Sequence, residues 1–313
     1  MDKLSVLVSL ITEDNDYQRE QAASAQTAAQ KLGASVQIIY ADNDAVQQTQ
    51  QILSFIQDPA KRPHAIVVEP VGTAMPQVAR AAVSAGIAWG VMNSVADYMQ
   101  QLRQHALVPV FSLLSDNEKV GQIQGQQIAA TLGEEGCVLY VEGPGMGDVS
   151  KMRTKGMMAT KPPGVTVKTL RGDWTQHSGH HAIQSWLSLS TSRDLHVGMI
   201  VCQNDDMAMG AHRAFEELSD LRARDAWLRL PITGCDGLPR TGQAWVGQGW
   251  LIATIITPPL AGDAMQLLVT ALKTKSQPPE RTLVAPRSFP ALTDLQRVRT
   301  DAAPQTKSPA ALR

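Results

Sequence analysis

Short apolar runs alternate with amphipathic segments along most of the chain. The runs Leu4–Ile11, Ser35–Tyr40 and Ala65–Glu69 are rich in Val, Ile and Leu, as is typical of strands covered on both faces. The segments between them, Tyr17–Leu32 and Val46–Ile56, carry small and apolar residues at helical spacing. The pattern therefore predicts an α/β fold in which parallel strands alternate with helices.

The same alternation begins again after Ser115. Before that point, we predict a helix over Met75–Ser84, a strand over Ile87–Met92 and, after a less regular piece, a strand over Val108–Leu113. After it, we predict helices over Val120–Leu132, Lys151–Met158, Ser178–Leu187 and Leu260–Leu272, and strands over Cys137–Val141, Val165–Thr169, Val197–Cys202, Pro231–Cys235 and Leu251–Ile256. Two such series predict two similar doubly wound parallel-sheet lobes rather than one large sheet.

Composition narrows the class of protein. In a chain of 313 residues, 43% are hydrophobic and 18% are charged, which indicates a folded globular protein with room for two ordinary domains. The net charge is -1 and the pI is near 6.7, so no basic surface points to a nucleic acid or an anionic membrane as a partner.

The cysteines and the first residues bear on the cellular compartment. Cys137, Cys202 and Cys235 lie in or beside apolar runs without metal-ligand spacing, so we predict that they are small core residues. A structural disulfide is the alternative that the sequence leaves open. The opening MDKLSVLVSLITEDND has too short an apolar stretch for a secretory leader or a membrane span. We expect either a cytoplasmic protein or a mature form whose leader has been removed.

The segment QNDDMAMGAHRAFEEL joins a strand to a helix. The strand Val197–Cys202 is followed at once by Asn204, Asp205 and Asp206, and then by apolar residues at helical spacing. Ligands of open α/β sheets bind at the carboxyl ends of strands, where these polar side chains would lie. The alternative is that Asp205 or Asp206 only caps the helix.

Catalytic signatures are missing from the sequence. It has no G-x-S-x-G elbow and no Walker loop. GPGMG, at positions 143–147, follows a strand but lacks the Rossmann spacing, so a tight turn is favoured over a phosphate cradle. His177 and His181 are four residues apart, but without a further ligand type nearby they indicate a solvated helix start. We therefore expect no catalytic residue, metal or cofactor, and an enzyme acting on a sugar phosphate is the least favoured reading.

With two lobes predicted, QNDDMAMGA resembles the Q-N-D-x-M-A-x-G-A segment of type I periplasmic binding proteins of the ribose/galactose type. Their fold is shared with the effector domains of lac-repressor-like regulators. The resemblance covers about residues 4–292, and its other pieces occur in the expected order: ADNDAVQQTQQI, AIVVEPV, AGIAWGVMN, LLSDNEKVGQIQGQQIA, YVEGPGMGDVSKMRTKGM, GDWT, ITGCDG and LIATIITPP.

The resemblance implies a ligand between the lobes, held by loops at the ends of strands. The positions that match the family's ligand-binding residues are Asn15, Tyr17, Arg153 or Lys151, Trp174, Asn204 and Asp236. An aromatic face, amide and carboxyl groups and a basic side chain suit a polyol. The alternatives are that Tyr17 only starts a helix, that Trp174 is core packing and that Asp236 only shapes its turn.

The sequence departs from the family at positions that grip the ligand. The family's Asp-Arg pair after the fourth strand is Asn93-Ser94 here, and Thr257 stands where many relatives have a Gln. The basic position nearest the ligand is Lys151, with the Arg two residues later. Losing two charge-assisted contacts argues against a typical pentose or hexose at high affinity, but not against a small polar ligand.

The family also implies an organisation and a role. We expect residues 1–112 plus 258–290 to form the N-terminal lobe and residues 113–257 the C-terminal lobe, with a C-terminal crossing and a mobile tail over 291–313. The hinge crossings are expected near Leu113-Leu114, Thr257-Pro258 and Ser288–Ala291. The implied protein is a monomeric, periplasmic solute-binding protein that serves a membrane permease or receptor. The alternative is a cytoplasmic ligand-sensing module without a DNA-binding head.

Overall fold

The chain forms two compact units. The computed structural model describes residues 3–72, 75–94, 96–145, 148–192 and 195–295. The first unit comprises the chain up to Ser115 together with Pro259–Val284, and the second comprises Asp116–Gly145, Val149–Pro258 and the chain from Ala285. The predicted mobile tail and the end of the GPGMG segment lie outside the described residues.

The elements up to Ser115 alternate as predicted, and side chains cap the starts of the first two helices. They are β1 (Ser5–Leu10), α1 (Asp16–Leu32), β2 (Ser35–Tyr40), α2 (Ala45–Gln57), β3 (Ala65–Val68), α3 (Pro76–Ser84), β4 (Ala88–Met92), α4 (Met99–Gln104) and β5 (Val110–Ser115). Asn15 accepts the Gln18 amide at the start of α1, and Asp44 caps α2 in the same way. These caps satisfy N–H groups that the helices leave unpaired at their starts.

The rest of the chain continues the alternation in a second series of helices and strands, several of them short. These are α5 (Asn117–Leu132), β6 (Glu135–Glu142), α6 (Asp148–Thr160), β7 (Gly164–Arg171), α7 (Gln176–Ser188), β8 (Met199–Cys202), α8 (Asp205–Glu216), α9 (Leu221–Leu228), β9 (Ile232–Thr233), α10 (Gly242–Gly247), β10 (Thr254–Ile256), α11 (Ala261–Thr274), β11 (Arg281–Val284) and β12 (Arg287–Phe289). The sequence pattern did not predict α4, α9, α10, β11 or β12.

The first unit is built on a parallel sheet with the strand order β11-β5-β4-β3-β1-β2. Strands β3, β4 and β5 are buried along their whole length, because helices cover both faces of the sheet. One face packs on α1 and α11 through residues such as Leu10, Ala25 and Leu268, and the other packs on α2, α3 and α4. The strand order reverses between β1 and β3, which makes that pair the topological switch point of the sheet.

The second unit repeats this arrangement with a smaller parallel sheet. Its strand order is β7-β6-β8-β9, and β10 pairs with β12 as a separate antiparallel ribbon. The switch point lies between β6 and β8. One sheet face packs on α7, α8 and α9, where Phe215 and Trp227 stack at 5.0 Å between ring centroids. The predicted α/β class with doubly wound parallel sheets is confirmed.

The cysteines are core residues, as predicted. Cys137, Cys202 and Cys235 are all free thiols, and all are buried. Among the helices of the described residues, none has the length and apolar character that a membrane crossing requires.

Candidate functional site

The switch point of the first unit carries a set of polar side chains. Asn15 follows β1, and its Oδ1 accepts the Gln18 amide at 2.8 Å. Tyr17 is buried in the first turn of α1, and its hydroxyl accepts a long hydrogen bond from Asn93 Nδ2 at 3.4 Å. Asn15 therefore acts as a helix cap, while Tyr17 joins the end of β1 to the end of β4.

Glu69 is the centre of this polar set. Its side chain follows β3 and is buried, and its carboxyl oxygens accept from Asn93 Nδ2 at 3.2 Å and from Gln21 Nε2 at 3.3 Å. Asn93 also accepts the Ser115 amide at 3.3 Å. Hydrogen bonds of the Glu69 and Asn93 side chains thus connect the ends of β3, β4 and β5.

This network changes the interpretation of the Asn93-Ser94 departure. Asn93 adopts a left-handed backbone with φ 51° and is buried, whereas Ser94 is half-buried. Glu69 places a carboxyl group at the neighbouring strand end, after β3. Glu69 was not among the candidates predicted from the sequence, although a Glu directly after the buried run Ala65–Val68 was a visible signal.

In the second unit, Gln203 links the two strands at the switch point. Its Oε1 accepts the Gly143 amide at 2.9 Å after β6, and its Nε2 donates to the Tyr140 hydroxyl and the Ser150 carbonyl, both at 3.0 Å. Tyr140 in turn donates to Gln124 Oε1 at 2.8 Å. Burial raises the pKa of Tyr140, so its hydroxyl stays neutral and keeps this donor role. Gln203 was also missed, because its partners lie far away in sequence.

Arg153 and Trp174 form the most distinctive pair of this edge. The Arg153 guanidinium carbon lies 5.6 Å from the Trp174 ring centroid, which is cation–π geometry. Arg153 is buried, and it donates to Asn117 Oδ1 at 3.0 Å and to the Gln203 carbonyl. Of the two basic candidates, Arg153 is thus the one beside Trp174. Lys151 is exposed, and its amine makes no hydrogen bond or ion pair within the described residues.

Trp174 is held against a glycine. It has a left-handed backbone with φ 75°, and its ring covers Gly143 so closely that a Cβ there would lie 2.2 Å from a ring carbon. The Trp174 carbonyl accepts Asn204 Nδ2 at 2.9 Å. The ring is half-buried and packs partly on the core, so the core-packing alternative describes part of its surroundings.

Asn204, rather than Asp205 or Asp206, caps α8. Its Oδ1 accepts the Met207 amide at 2.9 Å, which corrects the capping alternative derived from the sequence. The side chain of Asp205 instead turns inward, and Asp206 accepts Gln176 Nε2 at 2.9 Å. The predicted helical face is confirmed, since Met207, Ala211 and Phe215 are fully buried.

Asp236 and Thr257 complete the predicted set. Asp236 is buried in a turn with φ 115°, and its amide donates to the Ile255 carbonyl at 2.9 Å. Thr257 follows β10, and its amide donates to the Asp236 carbonyl at 3.0 Å. The Thr257 hydroxyl is buried and has no hydrogen-bond partner among the described residues. Asp236 and Thr257 are therefore adjacent through their backbones.

The histidine pair stays at the surface. His177 and His181 are exposed on α7 with ring centroids 6.5 Å apart. Within the part of the chain that the structure describes, no group of three or more His, Cys, Asp or Glu side chains is arranged to hold a metal. The solvated helix start is the reading that fits these positions.

The chain matches a known protein family. A model described as a periplasmic binding protein domain matches residues 6–276. The chain belongs to this family. The resemblance to type I periplasmic binding proteins of the ribose/galactose type is confirmed. The polar groups at both switch points therefore lie where sheets of this kind bind ligands.

Several known proteins are similar to the chain. The galactofuranose-binding protein YtfQ of Escherichia coli strain K12 is 23% identical over 286 residues, covering 90% of this chain and 86% of that protein. A D-apiose import binding protein of Actinobacillus succinogenes is 24% identical over 257 residues, which cover 80% of this chain and 76% of that protein. The crystal structure of a Caulobacter myo-inositol binding protein with bound myo-inositol has a TM-score of 0.77 at 20% identity, covering 96% and 97%. At that identity, the structural likeness concerns the fold.

Proposed function

We propose that the protein is a solute-binding protein that captures a small sugar-like or polyol ligand without chemical conversion, for ABC-type transport or chemoreception. In this proposal the two units act as hinged lobes, and their polar edges close on the ligand. Asn15, Tyr17, Asn93 and Ser94 act from the first unit. The second unit contributes Arg153, Trp174, Asn204, Asp236 and Thr257, and Lys151 as a peripheral group.

One observation carries the proposal: both switch points present buried, pre-ordered polar groups. In the first unit, Asn93 already donates hydrogen bonds to both Tyr17 and Glu69. In the second, Arg153 and Trp174 are fixed in contact. Groups that are ordered before binding lose little further entropy when a ligand arrives, which favours tight capture of a small molecule.

The chemistry of the two edges points to a neutral polyhydroxy ligand. Glu69 places hydrogen-bond acceptors at the first edge, which suit the hydroxyl donors of a polyol and oppose a carboxylate. Part of the Trp174 ring face can pack against the C–H groups of a polyol, beside the N–H donors of Arg153. The named ligands of the relatives, galactofuranose, D-apiose and myo-inositol, are of this neutral class.

A thermal-shift screen over sugars, polyols and sugar acids tests the ligand class. A compound that binds only the folded state must raise the melting temperature. We expect one or more neutral sugars or polyols to do so and the corresponding sugar acids to have a smaller effect. A shift given by sugar acids alone would contradict the proposed ligand class.

Calorimetry on alanine variants then tests the site. Asn204→Ala and Asp236→Ala each leave buried polar partners unsatisfied, at a cost of roughly 1–3 kcal/mol, so we expect affinity to fall about 5- to 150-fold. Trp174→Ala should cost a comparable amount through lost stacking. Leu221→Ala, an exposed position at the start of α9, is the matched control. Unchanged affinity in all three site variants would mean that the ligand binds elsewhere.

The cellular setting follows from the same proposal. Relatives of this chain are periplasmic binding proteins, and we propose a periplasmic location with a membrane permease or chemoreceptor as the partner. Fractionation of cells that express the natural gene separates this from the alternative of a cytoplasmic ligand sensor, because only a periplasmic protein is released by osmotic shock.

A further inference from the structure

Asp205 carries a buried carboxyl group and directly follows Asn204 of the proposed site. It is the first residue of α8 and is 3% exposed. Its Oδ1 accepts the Thr254 hydroxyl at 2.7 Å, and its Oδ2 accepts the Gly237 amide at 2.7 Å. Its own amide donates to the Cys235 carbonyl at 2.6 Å. Asp205 therefore binds the turn after β9 on both sides of Asp236.

That turn adopts an unfavourable backbone conformation. Asp236 has φ 115° and Gly237 has φ 60°, so two successive residues are in the left-handed half of backbone space. A non-glycine residue keeps such a backbone conformation only when contacts with the surrounding structure hold it there. The hydrogen bond from Gly237 to Asp205 comes directly after the strained residue, so losing it removes a restraint at the point of strain.

The surroundings of Asp205 are shaped for a carboxyl group. A Cβ added at Gly234 would lie 2.1 Å from Asp205 Oδ1, and one at Gly242 would lie 2.0 Å from Oδ2. The backbone thus approaches both carboxyl oxygens closely, and glycine at these two positions leaves the necessary space. This fit, together with the two short hydrogen bonds, indicates a specific role for Asp205 beyond filling the interior.

We propose that Asp205 is a positioning residue whose carboxylate holds the Cys235–Gly237 turn and thereby presents Asp236 to the ligand. The effect on affinity rests on the proposed function, because Asp236 matters for binding only if the ligand lies at this edge. The effect on the turn itself is a property of the ligand-free protein and can be measured separately.

The positioning depends on the charge of Asp205. Burial raises its pKa to about 7, with a smaller opposing effect of the hydrogen bonds from Thr254 and Gly237. The other titratable or charged groups around it are Arg153, Cys202, Asp206, Cys235 and Asp236. An ionised carboxylate accepts an N–H more strongly than a protonated one. The turn is therefore held more tightly above neutral pH, and ligand affinity falls as the pH drops through this range.

Amide hydrogen exchange at Gly237 tests the proposal without any ligand. In Asp205→Asn, we expect Gly237 to exchange about tenfold faster than in the wild type, after correction for the intrinsic exchange rate. Protection of Gly237 in the wild type should increase from pH 6 to pH 8, and this increase should vanish in Asp205→Asn. Asp206→Asn removes the neighbouring carboxylate and should retain the pH-dependent protection. Equal Gly237 exchange in the two variants would overturn the proposal.

Thr254→Val provides a second test if Asp205→Asn fails to fold. The Thr254 hydroxyl stabilises the ionised form of Asp205, so its removal should move the midpoint of the Gly237 protection profile to higher pH. An unmoved midpoint would contradict the proposed role. The affinity of Asp236→Ala for the polyol found by thermal shift is measured in parallel. If that affinity is unchanged, Asp236 takes no part in ligand binding, whereas the exchange at Gly237 still decides whether Asp205 holds the turn.

Discussion

At the scale of single residues, Asp205 relates the stability of the protein to pH. Burial is the largest cause of its raised pKa, from 3.8 to about 7. The folded state therefore binds a proton at Asp205 more tightly than the unfolded chain does. The resulting stabilisation is complete below about pH 4 and is lost as the pH rises through about 7. Stability and turn positioning thus respond to the charge of Asp205 in opposite directions.

This linkage predicts a measurable difference between the wild type and Asp205→Asn. Between about pH 5 and about pH 8, the wild type should lose on the order of 2 kcal/mol of unfolding free energy that the variant does not lose. Burial lowers the pKa of His212, and this shift is the same in both proteins, so the measured quantity is the difference between the wild type and Asp205→Asn. Urea denaturation at both pH values measures it, and parallel pH profiles for the two proteins would contradict the assignment.

The side-chain contacts found only in the structure share a physical property. Glu69 bonds to Gln21, Gln203 to Gly143 and Asp205 to Thr254, all pairs that are distant in sequence. Local spacing cannot reveal such pairs, because they exist only after parallel strands bring their carboxyl ends to one edge. Asn204 and Trp174 were predicted as site residues because the family motif carries them, but the sequence did not predict the hydrogen bond between them.

At the scale of elements, the contact between α5 and α6 depends on glycine. A Cβ at Gly121 would lie 1.9 Å from the Arg153 carbonyl oxygen, and one at Gly156 would lie 2.1 Å from the Glu118 carbonyl oxygen. The obstacles are backbone atoms, which cannot rotate away as a side chain can. The close approach of the two helices also sets the position of Arg153 on α6.

Gly156→Ala should therefore destabilise the protein although alanine favours helices. Overpacking at such a site costs typically 1–3 kcal/mol, and we expect the melting temperature to fall accordingly. Gly247→Ala is the matched control, because nothing lies within 4 Å of its added Cβ, and it should change stability by less than about 1 kcal/mol, towards greater stability. Equal melting temperatures for the two variants would show that α5 and α6 separate without cost.

The elements that the sequence pattern did not predict are short. The strand Ser35–Tyr40 has the predicted bounds, and α1 begins one residue before its prediction. In contrast, α4 and α10 each span 6 residues, too few to show a helical period. Strands β11 and β12 have 4 and 3 residues, and only their pairing with β5 and β10 defines them.

At the scale of the whole molecule, we expect a monomer. The outer face of α1 is polar, in the sequence QREQAASAQTAAQ, and the large apolar side chains that are exposed in the described residues are scattered along the chain, as Val46, Leu107 and Leu221 illustrate. Sedimentation at micromolar concentration should give the mass of one chain, 33.8 kDa. A stable dimer would favour the sensor alternative over the solute-binding protein.

The return of α11 and β11 to the first unit determines the order of events during synthesis. Leu260, Met265 and Leu268 of α11 cover the same sheet face as Val6 and Leu10, and β11 pairs with β5. On the ribosome, the part of this face that α11 covers stays open until nearly the whole second unit has been made. The earliest part of the chain is therefore the last to complete its core, which leaves it accessible to chaperones or export machinery throughout translation.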